Sequence, residues 1–318
     1  MPETISSWLF WLFMFLRMGS FETGARQSPP LCKKAKSPPS SLIVPSPSKA
    51  LQSFSAVVVT GGSSGIGKSF IRVAAKLNSD LVFCNLSRRS PEENLSEIGE
   101  IKLNHFPCDL SCADEVARAA GEIVVFLARA VPVGRVLLIN NSGFGSFGPF
   151  PEPNLSRQLE MVDLNVRAVV DLTGRLLPLL RSRGGAIMNI ASTVAYQPTA
   201  FAATYGASKA FVLHWSLALN EELRGSGVRS MAVCPGTTST AFFRAAGLGD
   251  GAVVKSLSMT AEEVVECAFQ ALGSGRSQVV PGMFNKLYTF VGAKLPKPLA
   301  TWIAAKMLGR RSLHRAQP

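Results

Sequence analysis

From residue 267 to residue 318 the chain has no aspartate and no glutamate, against eight Lys and Arg. Residues 1–50 are also short of acid, with two Glu against six Lys and Arg. Between them, residues 51–266 balance 19 Lys and Arg with 19 Asp and Glu, so the formal charge of +12 sits wholly in the two ends. A neutral middle excludes a basic core that binds nucleic acid. Ends of this charge fit peripheral contact with an anionic surface such as a membrane, or solubilising tails. Histidine is scarce: His105, His214 and His314 are scattered and lack metal-ligand spacing, so no metal site is expected. The six cysteines match no zinc or redox signature, because Cys108 and Cys112 are separated by three residues rather than two. They read as reduced thiols in a cytosol-facing compartment. No internal repeat is visible.

Long hydrophobic runs are missing as well. The apolar run Trp8–Leu16 is nine residues, whereas a transmembrane helix needs about 20. Only Glu3 is charged ahead of it, which does not suit a secretory signal. The readings left open are a short in-plane anchor, an organelle transit peptide, and an extension upstream of the true start. The Pro-, Ser- and Lys-rich stretch that follows reads as disordered. Residues 1–50 are therefore set aside as a disordered or anchor-like extension, before a domain over 51–282 and a basic, amphipathic extension over 283–318. With 47% hydrophobic and 17% charged residues, the chain can bury one large core.

What is present is a regular alternation. "SAVVVTGGSSGIGKSFIRVAAKL" reads as a buried strand (Ala56–Thr60), a glycine-rich turn, and an amphipathic helix over 66–77. Further strands are expected at Leu81–Ser87, Lys102–Phe106, Arg135–Ile139, Ala186–Ser192, Val228–Cys234 and Ser277–Val280, with helices at about 112–130 and at 261–273. The last of these should carry a capping box from Thr260 and Glu263. Seven apolar strands alternating with helices predict an α/β fold: a doubly wound, parallel Rossmann sheet with helices on both faces. Gly61, Gly65 and Gly67 are spaced G-x-x-x-G-x-G between strand and helix, where backbone amides can meet a pyrophosphate. A triphosphate-binding loop from Gly62 to Lys68 is the alternative, which would require the first strand to end a residue later and Thr60 to go unused. At the end of the second strand "LSRRS" places Arg88 and Arg89 where an acid would select NAD. An arginine there accommodates the 2′-phosphate of NADP; a pair of solvent-facing arginines is the bland reading.

Tyr205 and Lys209 lie four apart in "TYGASKAF". On a helix that spacing puts them on one face, where an ammonium favours a phenolate. With the other motifs in order, the chain resembles the short-chain dehydrogenase/reductase family over about residues 55–282. "TGGSSGIG" (Thr60–Gly67), "NNSG" (Asn140–Gly143), Asn165 in "DLNVRAV", Ser192 in "NIAS", and "PGTTSTAF" (Pro235–Phe242) carry the resemblance, and Ser192 precedes Tyr205 by the family's interval. It implies an NADP-dependent oxidoreductase acting on CH–OH and C=O groups. Asn165, Ser192, Tyr205 and Lys209 would be catalytic: Tyr205 the acid/base, Ser192 on the carbonyl oxygen, Lys209 lowering the phenol pKa and bonding the nicotinamide ribose, and Asn165 holding a proton-relay water. NADP (NADPH) would be held by Gly61, Ser63, Ser64, Gly65, Ile66 and Gly67, by Arg88, Asp109, Leu110 and Asn141, by Tyr205 and Lys209, and by Pro235, Gly236 and Thr240. Asp109 would contact adenine, Asn140 would brace the nucleotide side of the sheet, and Thr240 would reach the carboxamide. A homo-oligomer formed through helices near 155–181 and 203–224 is also implied.

Phe144, Phe147, Tyr196, Phe201, Phe242 and Phe243 are candidates for an apolar cleft, about half of them expected to face substrate, with the stretch 241–249 as a lid. The expected substrate is a ketone or secondary alcohol on a hydrophobic, lipid-like body. The tail "MFNKLYTFVGAKLPKPLATWIAAKMLGRR" resembles the extended end of the hydroxysteroid-dehydrogenase-like and long-chain 3-oxoacyl-reductase branch. It suits lying in a membrane interface, roofing the cleft, or pairing subunits. Lipid metabolism at a cytosol-facing membrane or in the cytoplasm is the expected setting. The alternatives are a soluble 3-oxoacyl-carrier reductase and a non-catalytic NADP-binding scaffold.

Overall fold

Apolar residues at consecutive strand positions demand cover on both faces of a sheet. In the computed structural model, which describes residues 47–91, 101–239 and 258–313 (the side chains of Ser48 and 307–313 excepted), the strands meet that demand. They are β1 (Phe54–Thr60), β2 (Val82–Ser87), β3 (Lys102–Pro107), β4 (Arg135–Asn140), β5 (Gly185–Ile190), β6 (Val228–Val233) and β7 (Gln278–Val279). They pair in the order β3-β2-β1-β4-β5-β6-β7, and every pairing is parallel. This is the expected seven-stranded, doubly wound sheet. The seventh strand keeps only two of its four expected residues, and β5 stops at Ile190, which leaves Ser192 beyond the strand end.

Each face has its own core. On one side α1 (Pro47–Leu51), α2 (Gly65–Leu77) and α7 (Ala261–Gly273) pack Leu51, Phe70, Ile71, Val265 and Phe269 against Val57, Val59 and Ile139. Phe70 and Phe269 meet edge to face at 5.5 Å. Ala50 is buried along with Leu51, so packing begins one residue ahead of the boundary read from the sequence. On the other side α3 (Ala113–Ala130), α5 (Ala168–Arg183) and α6 (Ala203–Glu222) bring Ile123, Leu127, Leu172, Leu176 and Leu219 onto Val58, Leu138 and Ile187. Helix α4 (Leu155–Val162) runs into α5 through one wide turn, Asp163–Arg167. The capping box forms as expected at the start of α7: Glu263 N–H donates to Thr260 Oγ1, and Thr260 N–H donates to Glu263 Oε2. Helices α8 (Met283–Lys294) and α9 (Lys297–Leu313) follow β7.

Strand order reverses between β1 and β4, which opens a crevice beyond their C-terminal ends. The two ends are tied together there. Thr60 Oγ1 accepts from the Asn141 and Ser142 N–H groups at 2.9 Å each, and Asn141 Nδ2 donates to Thr60 O at 2.9 Å. Deeper in the sheet a polar chain links β4 to β6: Asn140 Nδ2 donates to Asn189 Oδ1 (2.8 Å) and Thr173 Oγ1 (2.9 Å), and Asn189 Nδ2 donates to Ser216 Oγ (2.9 Å) and Ser230 Oγ. Asn140 thus braces the sheet, as expected.

Candidate active site

A cavity of about 530 Å³ fills the crevice and joins the glycine-rich turn to the Ser–Tyr–Lys cluster. Its nucleotide end is built from backbone. Gly61 and Gly65 sit at φ +70 and +56, where glycine alone is at ease. An added methyl at Gly61 would come within 2.6 Å of Ser142 Oγ, and one at Gly67 would overlap the Gly61 carbonyl oxygen. Gly67 therefore acts beneath the turn, through packing, and does not line the cavity. Ser63, Ser64, Gly65 and Ile66 do line it, at the start of α2, whose first N–H groups are free to meet an anion. Lys68 is not on the cavity wall, so the triphosphate-loop alternative finds no support. Asn85, not anticipated from the sequence, fixes the turn: its Oδ1 accepts from Gly62 N–H at 2.8 Å.

Arg88 and Arg89 stand at the cavity edge beyond β2. The Arg88 guanidinium is 3.9 Å from Asp109 Oδ2. Asp109 also accepts from the Ser111 hydroxyl and N–H, and these bonds, with Arg88, hold its carboxyl below the usual range. Leu110 lines the wall beside it, while the Asn141 side chain is committed to Thr60. Pro235 and Gly236 close the far end; Thr240, Phe242, Phe243 and the expected lid lie outside the described residues. The Gly turn with no room for Cβ, the open helix N-terminus and two cavity-edge arginines together fit a phosphorylated dinucleotide.

The reactive cluster comes from two places in the fold. Tyr205 and Lys209 are one turn apart on α6, and Ser192 caps the short turn Thr193–Tyr196 after β5. The Ser192 hydroxyl hydrogen-bonds the Tyr205 phenol. Tyr205 is buried against Phe144 and Met161, with the Phe147 ring 6.0 Å away. Burial pushes its pKa up to about 12, opposed by the Ser192 bond. The expected lowering of that pKa by Lys209 does not appear: desolvation of the phenolate is the main cause, and the opposing one is Ser192. Lys209 Nζ instead donates to Ile190 O at 2.7 Å, and burial pulls its pKa down to about 8.

Asn165 sits fully buried in the wide turn and off the cavity wall. It grips Phe144, accepting from its N–H at 3.1 Å and donating to its carbonyl at 2.9 Å, and also donates to Ser208 Oγ at 3.1 Å. Its side chain thus bonds nearby backbone, as a helix-interior asparagine does. Gly143, next in the chain to Phe144, passes so close that an added methyl would fall 2.8 Å from Asn165 Oδ1 and 3.3 Å from Lys209 Nζ.

Of the apolar candidates, Phe144 and Phe147 line the cavity, while Tyr196 and Phe201 do not. Tyr196 turns away to hydrogen-bond Gln278 and the Cys234 thiol. The wall is completed by residues the sequence did not single out for it: Arg157, Glu160 and Thr199, and Tyr288 and Ala304 from the C-terminal helices. Arg157 pairs with Glu160 at 2.6 Å and stacks over Phe144 at 3.7 Å. No cluster of metal-ligating side chains occurs among the described residues. The described cysteines are all free thiols.

Fold and site together define a dinucleotide-fold protein carrying a Ser–Tyr–Lys cluster. A family model described as short chain dehydrogenase matches residues 55–251. Hydroxysteroid dehydrogenase-like protein 1 of Gallus gallus is 28% identical over 257 residues, 78% of this chain and 74% of that protein. Ketoacyl reductase HetN of Nostoc sp. is 32% identical over 187 residues, 58% of this chain and 63% of that protein, so the chain spans less than two thirds of this relative. A solved structure of a short-chain dehydrogenase from Sphingobium yanoikuyae in complex with NADPH superposes with a TM-score of 0.63 at 26% identity, covering 83% of this chain and 96% of that one. The chain belongs to the short-chain dehydrogenase/reductase family and is an oxidoreductase.

Proposed function

We propose that the protein reduces a ketone on a hydrophobic, lipid-like body with NADPH, and oxidises the corresponding secondary alcohol in reverse. The observation that carries this reading is the Ser192–Tyr205 hydroxyl pair beside buried Lys209, at the apolar end of a cavity whose other end is a glycine turn with Arg88 and Arg89. Bound NADPH supplies the hydride. Tyr205 supplies the proton: its raised pKa keeps the phenol protonated at neutral pH, ready to donate as the carbonyl oxygen gains charge. Ser192, hydrogen-bonded to that phenol, places a second donor on the same oxygen. Lys209, cationic below about pH 8, stabilises the phenolate left behind. Asn165 positions Phe144, and through it the wall facing Tyr205. Arg88 and Arg89 would select the 2′-phosphate. Phe144, Phe147, Val194 and Tyr288 offer rings and aliphatic surface, and the charges of Arg157 and Glu160 on the same wall are paired with each other. Exposed Leu155, Leu159 and Val162 on α4 and Phe211 on α6 support a homo-oligomer through those helices.

The test is nucleotide oxidation by the full chain with NADPH and with NADH. The ketone panel runs from small diketones to steroids and long-chain 3-oxoacyl thioesters, with Tyr205→Phe alongside. Turnover that prefers NADPH, rises with apolar substrate size and disappears in the variant is expected. NADPH binding without turnover on any ketone would instead favour a nucleotide-binding scaffold.

A further inference from the structure

The first of the two C-terminal helices is built inside out. The residues of α8 that face the domain, Asn285, Thr289 and Gly292, recur at helical spacing and are small or polar. Asn285 lies on Gly236, where an added methyl would overlap its side chain, and Gly292 lies just as closely on Gln197. Gln197 Nε2 donates to the Tyr288 hydroxyl, and Lys297 Nζ donates to Tyr196 O at 3.3 Å, so both helices are fastened to the segment that follows Ser192. The large apolar side chains point the other way. Phe284, Leu287 and Phe290 on α8 are 61–71% exposed, and Trp302 on α9 is 59% exposed. Soluble domains rarely leave a contiguous apolar face of this kind in water. It is interleaved with exposed Lys286, Lys294, Lys297 and Lys306, and from 267 onward there is no carboxylate to balance them. At 12 and 17 residues the helices run about 18 and 25 Å, and no helix among the described residues is long and apolar enough to cross a membrane.

We propose that this outer face of α8 and α9 rests in the headgroup–acyl boundary of an anionic membrane, and that the substrate enters the cleft from that membrane past Tyr288 and Ala304. The second half rests on the lipid-ketone reading above. An anionic bilayer satisfies apolar side chains and cations at once. A second copy would bring two sets of uncompensated lysines together. The pathway is short, because the helices that carry the outer face also supply Tyr288 and Ala304 to the cavity wall.

The experiment is flotation of the full chain with vesicles of phosphatidylcholine, alone or mixed with phosphatidylglycerol. The wild type is compared with a variant carrying Phe284→Glu, Leu287→Glu and Phe290→Glu, and with another carrying Lys286→Glu and Lys294→Glu. The N-terminal run Trp8–Leu16 is intact in all of them. The wild type should float with the mixed vesicles and less so at high salt, and each variant should partition at least about tenfold more weakly. Both variants should turn over a water-soluble diketone at the wild-type rate while losing rate on a ketone dissolved in the vesicles. Absence of wild-type flotation overturns the inference. So does flotation unchanged in both variants, which would assign binding elsewhere in the chain, or a wild-type dimer that the variants split, which would make a second copy the occupant. Equal rates on the vesicle-borne ketone overturn the entry route alone. Failure of the reductase reading shows separately, as no turnover of the diketone by any form.

Discussion

Lys209 is a cation with little of its surface left to water, and stability should register that cost. Its pKa falls from 10.5 to about 8 on folding, with burial as the main cause. A lysine with a lower pKa in the folded state sheds its proton there first. Between about pH 8 and pH 10.5 the unfolded chain therefore binds more protons, and stability attributable to this residue rises with pH. The full span is worth about 3 kcal/mol, and roughly 2 kcal/mol of it is reached by about pH 9.5. Lys209→Met keeps an unbranched chain of similar length and removes the charge. It also orphans the Ile190 carbonyl, at about 1–3 kcal/mol, but that loss does not vary with pH. The assay is urea unfolding of both proteins, freed of nucleotide, near pH 7 and near pH 9.5. Relative to Lys209→Met, the wild type should gain about 2 kcal/mol over the interval. Tyr205 contributes little there, since its phenol is still mostly protonated at about pH 9.5 in both states and its share cancels in the comparison. A difference between the two proteins that stays constant with pH would refute the account of Lys209 as a desolvated cation.

Three further outcomes are expected. Gly67→Ala drives a methyl into the Gly61 carbonyl and should weaken NADPH binding at least about tenfold by calorimetry, with smaller loss of fold stability. Replacing Arg88 and Arg89 together by alanine should raise the Kd for NADPH by about tenfold to a hundredfold while leaving NADH nearly unchanged, as measured by fluorescence titration. Asn165→Leu leaves both backbone groups of Phe144 without their partner and should cost about 2–5 kcal/mol in chemical unfolding, with kcat falling as Phe144 shifts beside Tyr205.

Local features were legible because they are local. The Gly61–Gly67 turn, the capping box of Thr260 and Glu263, and the one-turn spacing of Tyr205 and Lys209 are each set within a few residues. The strands were legible because a sheet covered on both sides leaves little room for polar residues. What escaped was decided at a distance. Tyr288 reaches the cavity through Gln197, 91 positions earlier in the chain, and nothing in either neighbourhood announces the other. Tyr196 and Phe201 look like lining residues by type, but Tyr196 is drawn off by Gln278, and Phe201 adopts φ +61 while its carbonyl accepts from Gly148. The side-chain partners of Asn165, Phe144 and Ser208, lie 21 and 43 positions away in the chain. Burial of the phenol likewise depends on Phe144 and Met161, which no spacing rule connects to Tyr205.

The polar chain from Asn140 through Asn189 to Ser230 has a bearing on how the strands find one another. Where a sheet is greasy on both faces, sliding one strand past its neighbour exchanges valines for isoleucines and changes little, so oil alone is a poor guide to alignment. Asn140 stands directly opposite Asn189 across β4 and β5. Any slip parts them and strands two amides in a dry interior, at about 1–3 kcal/mol for each group left unpaired. The asparagines thus work as a key between the two halves of the domain, admitting the one alignment that also carries Ser192 to the side of Tyr205.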